Sequence, residues 1–297
     1  MKTTTSIFLT GSSGFIGHNF KLYFNKLYKI RSYLRESNIS INEEIVVHLA
    51  GKAHDLNNIS DAKEYYEVNT DLTKFFFDAF INSDAKVFIM LSSVKAVADK
   101  VEGVLYEDHI ANPKTHYGKS KLLAEKYILS KQIPKGKRVY ILRPCMIHGP
   151  KNKGNLNLLY KVVSKGFPWL LGSFNNKRSF CSIENLMFII KELIQHSHIA
   201  SGVYNIADDL PLSTNQVISI ISKSKNSKPL IWKTPKYLIK CLAILGDKIH
   251  LPLNSERLKK ITESYVVSNK KIVQAIGENL PTSSEKGLLK TFKSFKK

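Results

Sequence analysis

Acidic residues are scarce in this chain of 297 residues: 24 Asp and Glu stand against 45 Lys and Arg, a formal charge of +21. An excess of that size draws phosphates, acidic lipids and nucleic acid without choosing among them. No nucleic-acid-binding motif accompanies the charge, so no nucleic-acid partner is expected. Cysteines are few as well. Cys145, Cys181 and Cys241 are odd in number and far apart, which leaves neither a disulfide framework nor a CxxC metal or redox pair. Also missing is any run of about 18 to 20 apolar residues, so no membrane-spanning helix is expected. The opening MKTTTSIFLTGSSGFIG lacks the continuous apolar centre of a signal peptide, and the expected location is the cytoplasm. HExxH and similar ligand spacings do not occur, and no metal is expected.

What is present begins with lysine. Most lysines are dispersed, and only the tail EKGLLKTFKSFKK concentrates them. There Leu288, Leu289, Phe292 and Phe295 recur at helical spacing, the pattern of a terminal helix that docks an apolar stripe and turns its charges to water. A membrane-surface anchor is the alternative. KYLIKCLAILGDKIH poses the same choice: a core-facing helix is expected, with weak association to a membrane surface as the other reading.

An apolar share of 43% is ample for a buried core, and the length suits one two-lobed domain or two domains. In the first half, short apolar runs alternate with helical stretches. SIFLTG, IVVHLAG, KVFIMLSS and RVYILRP are the candidate strands, and 15–26, 61–82 and 115–131 the candidate helices. Such alternation builds right-handed βαβ units, and near-continuous apolar strands are those covered by helices on both faces. The expected class is α/β: a doubly wound parallel sheet over residues 1–150, then a smaller C-terminal α/β substrate lobe over 151–297, with segments from about 172–207 returning to the first. In the second part, LNLLYKVVSKG reads as a helix ended by Gly166, and Ser213 with Gln216 as a capping box opening a helix through Ser222.

FLTGSSGFIGHNF places Gly11, Gly14 and Gly17 after a predicted strand and at the head of a predicted helix. Gly11 permits the tight turn, Gly14 a close approach of backbone to a pyrophosphate, and Gly17 close helix packing, while the helix terminus offers free N–H groups. Ser13, Phe15 and Ile16, interleaved with these glycines, belong to the same expected dinucleotide contact. An acidic residue at the end of the next strand would hold a ribose diol, whereas arginine would accept a 2′-phosphate. Arg31 and Arg35 stand in that neighbourhood with no Asp at the expected position, which favours NADP, and Glu36 keeps NAD open.

THYGKSKLLAEKYILSK sets Tyr117 and Lys121 four residues apart, on one face of a helix. An ammonium beside a phenol favours the phenolate and would make Tyr117 a proton donor and acceptor. Upstream, Ser92 and Ser93 end a strand, where parallel sheets bind ligands. Taken together, TGSSGFIG, VVHLAGKAHD, VNTDLTK, SSVKA, YGKSK, RPCMIHGP, KRSFCSIENL and GVYNIADD occur in the order and spacing of the extended short-chain dehydrogenase/reductase family, the nucleotide-sugar epimerase and dehydratase group, which the chain resembles over nearly its whole length.

The resemblance implies a Rossmann-type NAD(P) domain. It also implies a catalytic set of Ser93, Tyr117 and Lys121: Tyr117 as acid and base at a sugar hydroxyl, Lys121 holding the nicotinamide ribose and lowering the tyrosine pKa, Ser93 orienting the oxygen. Leu49, Ala50, Gly51, Asn69 and Ser92 would line the cofactor, and Pro144 with Met146 would belong to the segment passing under the nicotinamide, with Cys145 to Ile147 as its floor. Cys145 and His148 are then neither nucleophile nor ligand. For a UDP-sugar the resemblance implies Asn155, Leu156, the FPWLLG strand, Arg178 and Arg257, and arginine suits a diphosphate through its charged donor fork. Family members that dehydrate at carbons five and six carry Asp-Glu where this chain has Val94 and Lys95, so 4,6-dehydration is not expected. What remains is hydride transfer at C4 of a UDP-hexose or UDP-N-acetylhexosamine, as 4-epimerase or 4-ketoreductase in making polysaccharide precursors, with a homodimer as the expected assembly. A lipid-linked substrate stays open, and a non-catalytic NAD(P)-binding regulator of the same fold is the competing class.

Overall fold

Alternate residues of four apolar strands face two different cores, and that alternation sets the architecture. The computed structural model describes residues 5–34, 39–52, 61–152, 154–249 and 254–295. Its elements run β1 (Ser6–Thr10), α1 (Phe15–Phe24), β2 (Lys29–Ser32), β3 (Ile45–His48), α2 (Ala62–Tyr66), a π-helical turn (Glu67–Asp71), α3 (Leu72–Ile81), β4 (Val87–Leu91), β5 (Val104–Leu105), α4 (His116–Leu129), β6 (Arg138–Pro144) and β7 (Met146–His148). There follow α5 (Asn155–Ser164), β8 (Phe180–Ser182), α6 (Ile183–Gln195), β9 (Gly202–Ile206), α7 (Thr214–Ser224), α8 (Lys236–Ile249), α9 (Ser255–Thr262), β10 (Val266–Val267), α10 (Lys270–Ile276) and α11 (Ser284–Lys293).

Six strands form one parallel sheet in the order β2-β1-β3-β4-β6-β9. Ile7, Leu9, Val47, Ile89 and Leu142 point to the face covered by α1 and α6, where Phe20, Phe24, Leu186 and Ile190 meet them. Phe8, Val46, Phe88 and Ile141 point the other way, to Phe76, Phe77 and Phe80 of α3 and Ala124 and Ile128 of α4. Period-two side chains with helices on both faces make the doubly wound class. Strand order reverses at β1, flanked by β2 and β3, so the crevice above its carboxyl end is the place for a ligand.

Residues past β6 divide their work. β9 returns to the edge of the sheet beside β6, and α6 returns to its face. β7 pairs with β8, and β5 with β10. α5, α7 and α11 enclose a third core around Leu156, Ile221, Leu288 and Phe292. Leu288 and Phe292 are fully covered, so the lysine-rich tail docks as a helix. Ser213 and Gln216 form the reciprocal capping box at the head of α7.

Two expectations change. FPWLLG is not a continuous strand: Trp169 and Leu171 make only isolated bridges, to Ile231 and Lys233. α8 is not simply core-facing. Only Ile239, Ala243 and Gly246 are buried, while Leu238, Leu242, Leu245 and Ile249 are exposed. At 3.6 residues per turn these are two apolar stripes about a quarter-turn apart, and only one meets the lobe.

Candidate active site

The glycine turn opens the carboxyl edge of the sheet. Gly11 has φ +71°, and a Cβ there would fall 2.5 Å from the Ala50 nitrogen. A Cβ on Gly17 would fall 2.2 Å from the Gly11 oxygen, so α1 starts closer to the turn than any side chain permits. Gly14 is the N-cap of α1 and supplies no side-chain cap, which leaves the first-turn N–H groups of Phe15, Ile16 and Gly17 for a ligand. Above Gly14 the space is open: only the Gly11 oxygen lies within reach of an added Cβ, at 3.5 Å. Bare N–H groups beside an open cradle fit a dinucleotide pyrophosphate.

Arg31 stands on β2 next to β1, where a ribose would lie, but its guanidinium is already engaged. Nε and Nη2 reach the Glu43 carboxylate at 2.5 and 2.8 Å, and the group stacks over Phe8 at 4.6 Å. The hydrogen bond and charge of Glu43 raise its pKa against desolvation. A 2′-phosphate would have to displace that carboxylate, so Arg31 gives no support to NADP over NAD. Arg35 and Glu36 lie outside the described residues.

Asn69 sits at the centre of the π-helical turn and is fully buried. Its amide nitrogen donates to the Lys52 carbonyl and Ser120 Oγ, at 3.2 and 3.1 Å, and its oxygen accepts from the Lys52 N–H at 2.9 Å. That fastens the segment after β3 to α4. Gly51 lies between them, since a Cβ there would be 2.9 Å from Lys121 Nζ and 3.1 Å from Asn69 Oδ1. Beneath, His48 links three elements. Thr73 donates its hydroxyl to the Asn69 carbonyl, so His48 Nε2–H donates to Thr73 Oγ1 at 2.9 Å and Nδ1 accepts from Thr10 at 2.8 Å. Burial and the charge of Lys121 push the imidazole pKa down to about 3 and keep it neutral.

Ser93 and Tyr117 meet at the head of the site. Ser93 caps the short helical turn 94–96, with Oγ accepting from the Lys95 N–H at 3.2 Å, and its side chain is hydrogen-bonded to the Tyr117 phenol. Tyr117 also sets its ring edge-on to Tyr65, 6.3 Å between centroids. Lys121 lies one turn further along α4, buried, with Nζ donating to the Leu91 carbonyl at 3.0 Å. Burial pushes its pKa down to about 8 against the opposing pull of Glu125. The expected lowering of the phenol pKa is not found: burial holds Tyr117 above its ordinary value, the Ser93 hydrogen bond opposes this, and Tyr65 adds to it. Lys121 spends its ammonium on a backbone carbonyl, and desolvation of the phenolate outweighs what remains.

Ser92 turns away from this group, its hydroxyl donating to Glu125. Glu125 is fully buried and held by Arg143, whose Nη2 lies 2.6 Å from Oε2. Arg143 is therefore one half of a buried ion pair, and after it Pro144 is the last residue of β6 and Met146 the first of β7. Cys145 is buried with its thiol pushed well up by desolvation and by Asp208, which makes it inert. His148 is buried between Thr291 Oγ1 at 2.9 Å and Asp208 Oδ2 at 3.4 Å. These partners are structural.

On the substrate side, Arg178 is partly buried and desolvation lowers its pKa. Its charge reaches Lys95, whose own pKa is lowered first by burial, with Arg178 contributing. Lys95 Nζ lies 4.2 Å over the Tyr265 ring and donates to the Asp99 carbonyl at 2.8 Å. Both cations are depressed chiefly by burial, which the carboxylates of Asp99 and Glu263 oppose at Lys95 and that of Glu263 opposes at Arg178. Asn155 opens α5 and Leu156 is buried in the third core. Arg257 is exposed in the first turn of α9. Sequence reading missed Glu125 as an organiser, although it follows Lys121 by one helical turn. It also missed Lys95 as a member of the site, and nothing local marks Tyr265 as its partner.

A profile of the NAD dependent epimerase/dehydratase family matches residues 7–207. UDP-glucose 4-epimerase of Vibrio cholerae is 31% identical over 330 aligned positions, covering 99% of this chain and 96% of the relative. N-acetyl-alpha-D-glucosaminyl-diphospho-ditrans,octacis-undecaprenol 4-epimerase of Escherichia coli O157:H7 is 31% identical over 187 positions, 62% of this chain and 56% of that one. Among solved structures, the Bordetella bronchiseptica enzyme WbmG in complex with NAD superposes with a TM-score of 0.75 at 15% identity, covering 99% of this chain and 94% of the other.

Proposed function

The chain belongs to the NAD dependent epimerase/dehydratase family, and from that premise we propose that it inverts C4 of a UDP-hexose or UDP-N-acetylhexosamine, a step toward polysaccharide precursors. The observation that carries the reading is the Ser93–Tyr117 hydrogen bond at the carboxyl edge of the sheet, one helical turn from Lys121. When bound, NAD supplies the hydride acceptor and donor that C4 chemistry needs. The bare N–H groups of the glycine turn would hold its pyrophosphate, and Lys121, beside Gly51 and Asn69, would hold its ribose. Tyr117 takes the proton from the C4 hydroxyl and returns it to the same oxygen once the sugar has turned its opposite face to the nicotinamide side, while Ser93 fixes that oxygen. Arg178 and Lys95 hold the diphosphate.

Val94 and Lys95 supply no carboxylates next to Ser93, which supports a reaction other than 4,6-dehydration. A 4-ketoreductase would use the same Ser93, Tyr117 and Lys121. The pairing of Arg31 with Glu43 takes away the argument for NADP and with it the one for a reductase. A lipid-linked diphosphosugar meets the same chemistry, because Arg178 and Lys95 address phosphates rather than uridine. Exposed Phe75, Leu123 and Leu129 on α3 and α4 suit a homodimer.

The deciding experiment follows UDP-glucose and UDP-N-acetylglucosamine by proton NMR with the purified protein, alongside native mass spectrometry for retained cofactor. Retained NAD and appearance of the C4 epimer are expected. Consumption of NADPH on a 4-keto sugar, without epimerisation, would make it a reductase. Equal turnover by wild type and Tyr117→Phe would overturn the assignment of the acid and base.

A further inference from the structure

α8 carries a second apolar stripe that the fold does not use. Ile239 and Ala243 pack on Leu171 and Leu258 and Gly246 is buried, yet Leu238, Leu242, Leu245 and Ile249, at i, i+4, i+7 and i+11, face outward. In the segment leading into the helix Trp232 is 58% exposed, and its N–H donates at 2.9 Å to the carbonyl of Trp169, a residue packed on the core beneath α8. The same part of the chain is strongly basic. Residues 225–260 hold nine Lys and Arg against only Asp247 and Glu256. Lys233, Lys240 and Lys248 are all exposed.

We infer that this face lies on an anionic lipid bilayer, with the leucine stripe and Trp232 at the level of the acyl boundary and the lysines reaching phosphate headgroups. Charge complementarity selects the occupant. A second copy of the chain would bring the same excess of positive charge against itself, whereas an acidic membrane neutralises it. Among the described residues no helix is long and apolar enough to cross a membrane, so the contact is peripheral. It depends on no particular sugar or cofactor, and it is read without turnover, so its failure and that of the proposed reaction are separable.

The test is co-sedimentation of the whole protein with vesicles of phosphatidylcholine and phosphatidylglycerol, 3:1 or so, against phosphatidylcholine alone, at low and physiological salt. Binding to the anionic vesicles is expected, weakened by salt. Leu242→Glu with Leu245→Glu should lower partition by about tenfold or more. If that variant does not fold, Lys233→Gln, Lys240→Gln and Lys248→Gln touch only exposed ammonium groups and should cost about fivefold each. Protein left in the supernatant at low salt, or variants that bind as wild type does, would overturn the inference. So would a dimer in sedimentation velocity that the Leu→Glu pair dissolves while no vesicle binding occurs.

Discussion

Arg143 holds Glu125 through both arms of its guanidinium, Nε at 3.0 and 3.1 Å from the two carboxylate oxygens and Nη2 at 2.6 Å from one of them. Both side chains are almost completely buried. Removing one partner of such a pair leaves a charge in a medium that cannot solvate it. Arg143→Ala should therefore lower stability by about 3–5 kcal/mol in urea unfolding. Arg143→Met combined with Glu125→Leu should recover part of that loss, because no unpaired charge remains.

Ser93 opposes the burial that raises the Tyr117 pKa. With Ser93→Ala the phenol should climb further, moving the limb of the kcat profile that reports its ionisation to higher pH. Turnover should fall by about ten- to a hundredfold, since an oriented donor at the reacting oxygen is lost. A pH–kcat series on both proteins reads both effects.

His48 is buried neutral, with its pKa near 3. The unfolded chain takes up a proton on this ring near its ordinary value of about 6.5, whereas the folded chain does so only near 3. Stability should thus be full above that ordinary value and fall as pH drops through the interval, by about 5 kcal/mol in all. His48→Gln should flatten this slope in urea melts between pH 4 and 7 or so.

The contact between Gly17 and the turn leaves no room for a methyl group. Gly17→Ala should push α1 away from Gly11, costing about 1–3 kcal/mol and weakening dinucleotide binding. Thermal melts with and without NAD measure both: the variant should melt lower and gain less from the ligand than wild type does.

Much of this was legible in the chain. β1, β3, β4 and β6 are apolar runs bounded by turn residues, and their order fixes the sheet. β2 was harder, because KIRS at the sheet edge alternates exposed and half-covered residues and has no apolar run. Helix signals located 61–82 but not the π-helical turn within it, whose extra residue is set by the hydrogen bonds of Asn69 to Lys52 and Ser120. Tyr117, Lys121 and Ser93 could be named from spacing. The acidity of the phenol could not, since it depends on burial and on Tyr65, brought from far upstream. α8 was legible as amphipathic, but only the fold reveals which of its two stripes is taken.

The bond between His148 and Thr291 joins the end of β7 to a helix 143 residues later. All six strands of the sheet have been translated by residue 206, so the cofactor crevice can assemble while synthesis continues. The wall beside Met146, by contrast, must wait for α11. A polypeptide halted before that helix would hold a dinucleotide-ready half whose sugar chamber stays unfinished.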